Sequence, residues 1–251
     1  MARRTRLDTE LVRRGLARSR EQAAALIAAG RVEVRGAVAA KAAAQVDPAD
    51  PLHVRGEATG EDYVSRGGHK LAGALAAFDG LAVAGRRCLD AGASTGGFTD
   101  VLLRAGAAEV VAVDVGYGQL AWSLRTDPRV TVIERTNVRT LTPDTIGGPV
   151  DVTVADLSFI SLRLVLPAVR SILRPGADAL LLVKPQFEVG KGEVGKGGVV
   201  REDVKRRAAL DGVEDAARAL GFEAGGEAES PIEGPAGNRE WLLWLRLPPT
   251  A

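Results

Sequence analysis

The stretch LDAGASTGGFTD, Leu89 to Asp100, carries two chemistries in one spelling. Gly92-Ala93-Ser94-Thr95-Gly96 fits G-x-S-x-G, the turn that presents a serine nucleophile in α/β hydrolases. Such a serine needs an acid and a histidine that follow it in the chain. The two histidines here, His53 and His69, both precede Ser94. That excludes a hydrolase triad in this order. The second chemistry is cofactor binding. Asp90 ends an apolar run, Gly92, Gly96 and Gly97 form a turn, and Asp114 ends the next apolar run, where a carboxylate can accept ribose hydroxyls. Glycines in such a turn let backbone approach a ligand closely. Ser94 stands where a dinucleotide fingerprint has its second glycine, which a pyrophosphate-binding turn tolerates poorly. A methyl donor has no phosphate to cradle, so the pattern favours S-adenosylmethionine. Ser94 is then a wall of the pocket, and Phe98 either touches the ligand or fills the core.

A sulfonium already activates its methyl group, so the protein must align the acceptor and help remove its proton. A lysine serves as base only when neutral, which calls for desolvation or a neighbouring positive charge. Asp156 follows the apolar run VTVA and Lys184 follows LLLV, both at strand ends where open α/β sheets bind ligands. Glu240 opens the final apolar run, and Lys70 lies in SRGGHKL ahead of the first strand. Singly, Lys70 also suits a solvated helix face, Glu240 a strand-start charge, and Asp156 the cap of a following helix. Lys184, directly after four apolar residues, is harder to place elsewhere. The loop FEVGKGEVGKGGVV nearly spells a phosphate-binding P-loop, but Gly197 replaces the magnesium-binding hydroxyl and no helix start follows. It reads as a flexible basic loop near the substrate.

The elements that must hold these residues come in two kinds. From Ser65 on, short apolar runs at 87–90, 110–114, 130–134, 150–156 and 179–184 alternate with helical patterns near 98–105, 161–173 and 203–220. That alternation predicts an α/β fold, a Rossmann-like parallel sheet with helices on both faces. The last run, from Glu240, follows a Gly/Pro-rich loop rather than a helix, as an antiparallel strand would. Ahead of it, Leu7, Leu11, Val12 and Leu16 mark a helix, and Ser19 with Gln22 forms a capping box for a second that Gly30 closes. Short strands follow, with Arg35-Gly36 as a tight turn. The chain therefore divides into a small α+β domain over 1–60, a linker over 61–64 and a large domain over 65–251.

Nine arginines stand against four acids in the first 35 residues, although the whole chain has a formal charge of +1. A basic head on a near-neutral body suggests a polyanionic partner, with a solvated arginine-rich helix surface as the alternative. With 4% aromatic residues, stacking on exposed rings is not expected to be the main mode of nucleic-acid contact. Cys88 is the single cysteine, which excludes an intrachain disulfide and a thiolate zinc site and reads as a buried structural thiol. No structural metal is expected. Neither a signal peptide nor a membrane-spanning run is visible, so the expected location is the cytoplasm.

Two resemblances sharpen these readings. RLDTELVRRGLARSREQAAALIAAGRVEVRG resembles the small αL RNA-binding module of a ribosomal protein, pseudouridine synthases and tyrosyl-tRNA synthetases. It implies phosphate contacts to structured RNA, with Arg4, Arg6, Arg13, Arg14, Arg18 and Arg20 as donors. From Tyr63 to about Arg246, SRGGHKL, CLDAGASTGGFTDVLL, DVGYGQLAWSLR, VADLSFISL, LLLVKPQFEVGK and GPAGNREWLLWLR resemble the FtsJ-like ribose 2′-O-methyltransferases, and the whole chain resembles the TlyA family. The resemblance implies cytidine 2′-O-methylation in ribosomal RNA, with ribosomal subunits as partners. It also implies a Lys-Asp-Lys-Glu tetrad at Lys70, Asp156, Lys184 and Glu240. There the second lysine is the base, Lys70 helps keep it neutral, and the acids orient the pair. Asp90, Gly92, Ser94, Gly96, Gly97 and Asp114 carry over as cofactor-pocket residues, with Phe98 beside them. Two departures stand out: Glu61-Asp62-Tyr63-Val64 lacks the arginine and tryptophan expected in that linker, and no closing helix follows the last strand. The competing functions are a non-enzymatic ribosome-assembly factor and the membrane-active haemolysin for which the family was long named.

Overall fold

The computed structural model describes residues 4–17, 20–55, 63–190 and 192–249. The first part of the chain contains β1 (Thr5–Arg6), α1 (Leu7–Arg13), α2 (Arg20–Ala28), β2 (Val32–Val34), β3 (Ala37–Val38), β4 (Gln45–Val46) and β5 (Leu52–Val54). Strand β2 pairs antiparallel with β3 and β5, and β1 with β4. Leu7, Leu11, Ala23, Ile27, Val32 and Leu52 fill their common core. The first helix ends at Arg13 rather than continuing to Leu16. Gly15 takes φ +71°, and the Leu16 amide bonds back to the Leu11 carbonyl at 2.9 Å. Arg35 and Gly36 both have positive φ, as the two central residues of a type I′ hairpin require. Ser19 of the expected capping box lies outside the described residues.

The larger part runs α3 (Gly67–Ala77), β6 (Arg87–Ala91), α4 (Gly97–Arg104), β7 (Glu109–Val113), α5 (Trp122–Arg125), β8 (Val130–Ile133), β9 (Val150–Ala155), α6 (Leu166–Ile172), β10 (Leu173–Val183), α7 (Pro185–Glu188), α8 (Asp203–Ala219), β11 (Glu223–Glu229) and β12 (Trp241–Arg246). Seven strands form one sheet in the order β11-β12-β10-β9-β6-β7-β8. Strands β6 to β10 pair parallel, while β12 runs antiparallel between β10 and β11. The sheet is therefore mixed, and β11 was not expected: EAGGEAE carries no apolar signal, and its residues are mostly exposed. The helical pattern over 161–173 is split, with a 3₁₀ turn at Leu162–Leu164 before α6.

Alternation along the strands sends side chains to two cores. Leu89, Val111 and Leu181 join Leu166, Val169, Leu210 and Val213 of α6 and α8 on one face. Cys88, Val110, Val154 and Leu180 join Leu71, Ala74, Leu102 and Leu124 of α3, α4 and α5 on the other. Cys88 is fully buried, and burial pushes its thiol up to about 12, as befits a core thiol rather than a nucleophile. Among the described residues no helix is long and apolar enough to cross a membrane.

Candidate active site

Strand order fixes where the site lies. β6 and β9 are neighbours, yet β6 continues into α4 on one face and β9 leads to α6 on the other. The crevice between such diverging connections, at the carboxyl ends of the strands, is where open α/β sheets bind ligands. Here the turn after β6 meets the segment after β9: the Asp156 amide donates to the Ala91 carbonyl at 3.1 Å. A cavity of about 580 Å³ opens there, lined by Ser65, Lys70, Gly92, Ser94, Gly97, Phe98, Asp156, Ser158, Phe159, Lys184, Gln186, Phe187 and Glu240, among others.

The four residues of the expected tetrad converge on it. Lys184 Nζ lies 2.5 Å from Asp156 Oδ1, and Lys70 Nζ lies 2.5 Å from Glu240 Oε2 and 3.8 Å from Asp156 Oδ2. Lys70, Lys184 and Glu240 are buried (4%, 8% and 1% exposed), so each charge depends on its partner. Lys184 also donates to the Ser158 hydroxyl at 2.9 Å, a contact the sequence reading did not anticipate. The geometry corrects the expected electrostatics. Lys70 was to press its charge on Lys184, but its nearer partner is Glu240, which neutralises it. Asp156 does not cap a helix; Ser161 caps the next turn.

The glycine turn also differs from expectation. Gly92 and Gly97 line the cavity, but the space a side chain would take is filled by protein rather than left for a ligand. A Cβ on Gly92 would meet the Asp156 carbonyl oxygen at 2.7 Å, and one on Gly97 would clash with the Ser65 hydroxyl and lie 2.8 Å from the Gly68 nitrogen. Their small size lets the turn press against the Asp156 segment and the start of α3, which carries Lys70. Gly96 faces Leu120 and Leu124 and does not line the cavity. Phe98 belongs to the core, being 3% exposed, and is also part of the cavity wall.

Beside the cavity, a narrow cleft is lined by Ala93, Ser94, Ala112, Asp114, Gly116, Gln119, Leu120, Val132 and Glu134. Asp114 Oδ2 accepts the Ser94 amide at 2.7 Å and Oδ1 the Gly116 amide at 2.6 Å, which leaves further lone pairs on both oxygens. The cleft holds only about 10 Å³ as it stands, and its carboxylate is the kind of acceptor that ribose hydroxyls need. Ser94 links cleft and cavity, with φ +47° and its hydroxyl 3.2 Å from Gln119 Oε1. Neither histidine lines either space.

Asp90, like Gly96, is an expected pocket residue that lines neither space. It is fully buried beneath the turn and does not line the cavity. Thr99 donates to its Oδ2 at 2.7 Å, while Oδ1 has no partner among the described residues. Burial, reinforced by the charges of Asp156 and Asp114, pushes its carboxyl up to about 7 against the pull of the Thr99 bond.

Phe159 is a wall residue the sequence reading missed. It is 91% exposed at φ +64°, with its ring 5.3 Å from that of Phe187. A large apolar side chain held in the left-handed region at a cavity mouth is a strained arrangement that points to a ligand. A lone aromatic between two strand-end motifs has no periodicity to mark it.

The arginines of the first domain separate into two groups. Arg4 is exposed; Arg6 and Arg20 share Asp8 at 2.8 and 3.0 Å; Arg13 pairs with Glu10 at 2.5 Å. Arg14, expected to contact RNA, is instead buried with its side chain 3% exposed, because the turn of the helix that points Arg13 outward points Arg14 inward. Arg18 lies outside the described residues.

A family model described as FtsJ-like methyltransferase matches residues 63–247, and one described as S4 domain matches residues 5–52. The chain is 61% identical to the 16S/23S rRNA (cytidine-2′-O)-methyltransferase TlyA of Mycobacterium tuberculosis, over 98% of this chain and 91% of that one. It is 36% identical to the 23S rRNA (cytidine-2′-O)-methyltransferase TlyA of Campylobacter jejuni, over 73% and 71% of the two chains. A solved structure from Streptococcus thermophilus, described as a hemolysin, superposes with a TM-score of 0.76 at 41% identity, covering 99% of this chain and 90% of that one.

The buried Asp90 carboxyl makes stability depend on pH with a definite sign. The unfolded carboxyl ionises at about 4 and the folded one at about 7, so its contribution is fully present below about pH 4 and lost as pH rises through 7. The change is on the order of 4 kcal/mol. The Asp90→Asn variant has nothing to ionise at this position and can keep the Thr99 bond. Thermal melts should therefore show the variant gaining on wild type between about pH 5 and pH 8. A constant gap between the two would mean that Asp90 ionises normally in the folded protein.

Proposed function

The chain belongs to the FtsJ-like methyltransferase family, on its TlyA branch, and we propose that it transfers a methyl group from S-adenosylmethionine to the ribose 2′-oxygen of a cytidine in ribosomal RNA. The observation that carries this reading is the convergence of four charges, three of them buried, from four separate segments, on the cavity that adjoins the Asp114 cleft. Asp114, Ser94 and the apolar walls of the cleft would hold the nucleoside part of the cofactor, and Phe98 and the Gly92–Gly97 turn would wall its other end. When bound, S-adenosylmethionine supplies a methyl group that its sulfonium has already activated.

The chain's own residues supply alignment and proton removal. Lys184 is the acceptor for the 2′-hydroxyl proton, which leaves as the oxygen bonds to carbon. That role requires the neutral amine, so the Lys184 ammonium proton has to pass to water first. Asp156 and Ser158 fix its amine, and Lys70 and Glu240 hold Asp156 in place from behind. A stacked, paired nucleotide does not present its ribose to such a pocket, so the target cytidine is turned out of its helix. Phe159, exposed at the mouth, offers that nucleotide a face to stack on. The exposed arginines of the S4 domain hold flanking RNA by its phosphates. The 61% relative is named for both ribosomal subunits, so both are the substrates to assay.

Three experiments test this. Subunits lacking the modification, incubated with methyl-labelled S-adenosylmethionine, should gain label on a cytidine 2′-oxygen. Lys184→Ala should slow that step by about 10²–10⁴-fold while S-adenosylhomocysteine still binds. A variant protein that methylates normally would remove Lys184 from the chemistry, and wild type giving no label despite binding cofactor would favour an assembly factor. Phe159→Ala should lower methylation by roughly 10- to 100-fold, the worth of one base–aromatic stack. Its cofactor affinity should be untouched, and parallel losses of both would mean that Phe159 supports the cofactor instead. Arg13→Ala with Arg20→Ala leaves Asp8 and Glu10 each one cation, Arg6 and Arg14. RNA binding should weaken, and the salt slope should fall by about 0.7–0.9 per lost phosphate contact; an unchanged slope would place the RNA elsewhere.

A further inference from the structure

Arg13 and Arg14 are adjacent in sequence and opposite in surroundings. Arg13 is 59% exposed, whereas the Arg14 side chain is 3% exposed and most of its donors are used. Its Nε meets Glu10 at 2.8 Å, Nη2 the Pro48 carbonyl at 2.9 Å, and Nη1 the Asp50 carbonyl at 2.8 Å and the Gly118 carbonyl at 2.6 Å. Three of these four partners belong to the S4 domain itself. The fourth, Gly118, belongs to the methyltransferase domain, in the segment between β7 and α5.

That segment is also one wall of the Asp114 cleft. The Gly116 amide bonds Asp114, the Gly118 amide bonds Glu134 Oε1 at 2.8 Å, and Gln119 meets the Ser94 hydroxyl. Its outer side carries exposed Val115 and Tyr117, 67% and 44% exposed. Two further contacts seat the S4 domain on it. The Gly118 backbone lies so close to Ala49 that a Cβ there would be 3.1 Å from the Ala49 carbonyl oxygen. Gly36, in the β2–β3 hairpin, faces the Trp122 ring at 3.0 Å by the same measure.

We propose that Arg14 is a positioning residue that latches the S4 domain onto the 114–122 segment, so that docking of the RNA module and binding of the cofactor favour each other. The inference rests on the cofactor reading above. A short irregular segment that is open to solvent at Val115 and Tyr117 is ordered by what packs on the rest of it. The docked module touches this segment at Gly118 and its continuation at Trp122, where α5 begins, and the Gly118 carbonyl bond ties those contacts to the arginine. Because the other partners of Arg14 lie within its own domain, the latch can open without unfolding that domain. Linkage makes the effect reciprocal: whatever the docked module adds to cofactor affinity, bound cofactor adds to docking, and so to a fixed spacing between the RNA-binding surface and Lys184.

The test uses the full chain with Arg14→Lys and Trp122→Ala, which approach the contact from opposite sides. Lysine keeps a positive charge against Glu10 but lacks the planar fork that reaches three carbonyls at once. Trp122 is 41% exposed and lines neither the cavity nor the cleft, so its loss leaves the core intact. In ligand-free protein, hydrogen exchange of the Gly116 and Gly118 amides should quicken about tenfold in both variants, with melting temperatures near wild type. By calorimetry, S-adenosylhomocysteine should bind each about tenfold more weakly. The KM for S-adenosylmethionine should rise with kcat at saturation retained. Unchanged exchange and unchanged affinity in both variants would overturn the latch. So would Arg14→Lys that lowers the salt slope of RNA binding at constant cofactor affinity, since Arg14 would then be an RNA contact. Wild type that bound no S-adenosylhomocysteine would overturn the cofactor reading, and the coupling with it, whatever the exchange showed.

Discussion

Two ammonium groups and two carboxylates, three of the four buried, meet at the wall of one cavity, and the placement of the methyltransferase domain's segments follows from keeping them paired. An unpartnered buried ion costs several kcal/mol, so Lys70 needs Glu240 and Lys184 needs Asp156. The parallel strands deliver Asp156 and Lys184 readily, because both follow strand ends at one edge of the sheet. Glu240 precedes its strand, and in a parallel strand it would lie at the opposite edge. The antiparallel direction of β12 reverses this: with Trp241 registered against Val183, the residue before β12 sits beside the residue after β10. The reversed strand is what closes the charge set.

The second requirement is that helix α3, from outside the sheet, bring Lys70 within reach. Gly97 and Gly68 meet where α4 and α3 begin, with the Ser65 hydroxyl between them. The glycine-rich turn thus has a structural duty that its spelling does not disclose. It resembles a ligand cradle in sequence, and it does line the cavity, but its glycines are required by the protein's own packing. One consequence is that a side chain at Gly97 would displace Lys70 as well as any ligand, so activity loss at this turn says little about cofactor contact. Asp114 and Ser94, whose polar atoms face the cleft, are the better reporters.

The sequence made legible what is periodic or sits at a strand end. The parallel strands, the antiparallel direction of the last one and the charges Asp156, Lys184 and Glu240 could be read because apolar runs stop or start abruptly at a charge; Lys70 ends no such run, and the four as a set came from the family resemblance. Strand β11 could not, since an edge strand of alternating acids and small residues is held by backbone pairing to β12 rather than by burial. Phe159 was invisible because exposure at a mouth depends on the path of a loop. Ser158 escaped for the same reason. Arg13 and Arg14 show the limit most clearly: two identical neighbours, whose fates differ because successive residues of a helix face directions about 100° apart.

The basic head reads differently once its pairs are known. Counting residues suggests a diffuse positive charge, but Asp8 holds Arg6 and Arg20, and Glu10 holds Arg13 and Arg14. Each carboxylate, itself buried, binds two cations and leaves one net positive charge. Asp8 is held well below the usual carboxylate range, by the Arg6 bond first, so these clusters stay assembled across the physiological range. The arrangement exchanges some field strength for geometry. Arginines fixed by a buried acid lose less side-chain entropy on meeting a phosphate than free ones do. In the Glu10 cluster the same acid that steadies the outward Arg13 also steadies the inward Arg14, which bonds the Gly118 carbonyl. One buried carboxylate therefore ties an exposed arginine to the segment beside the Asp114 cleft, through the last residue of α1 and the one that caps it.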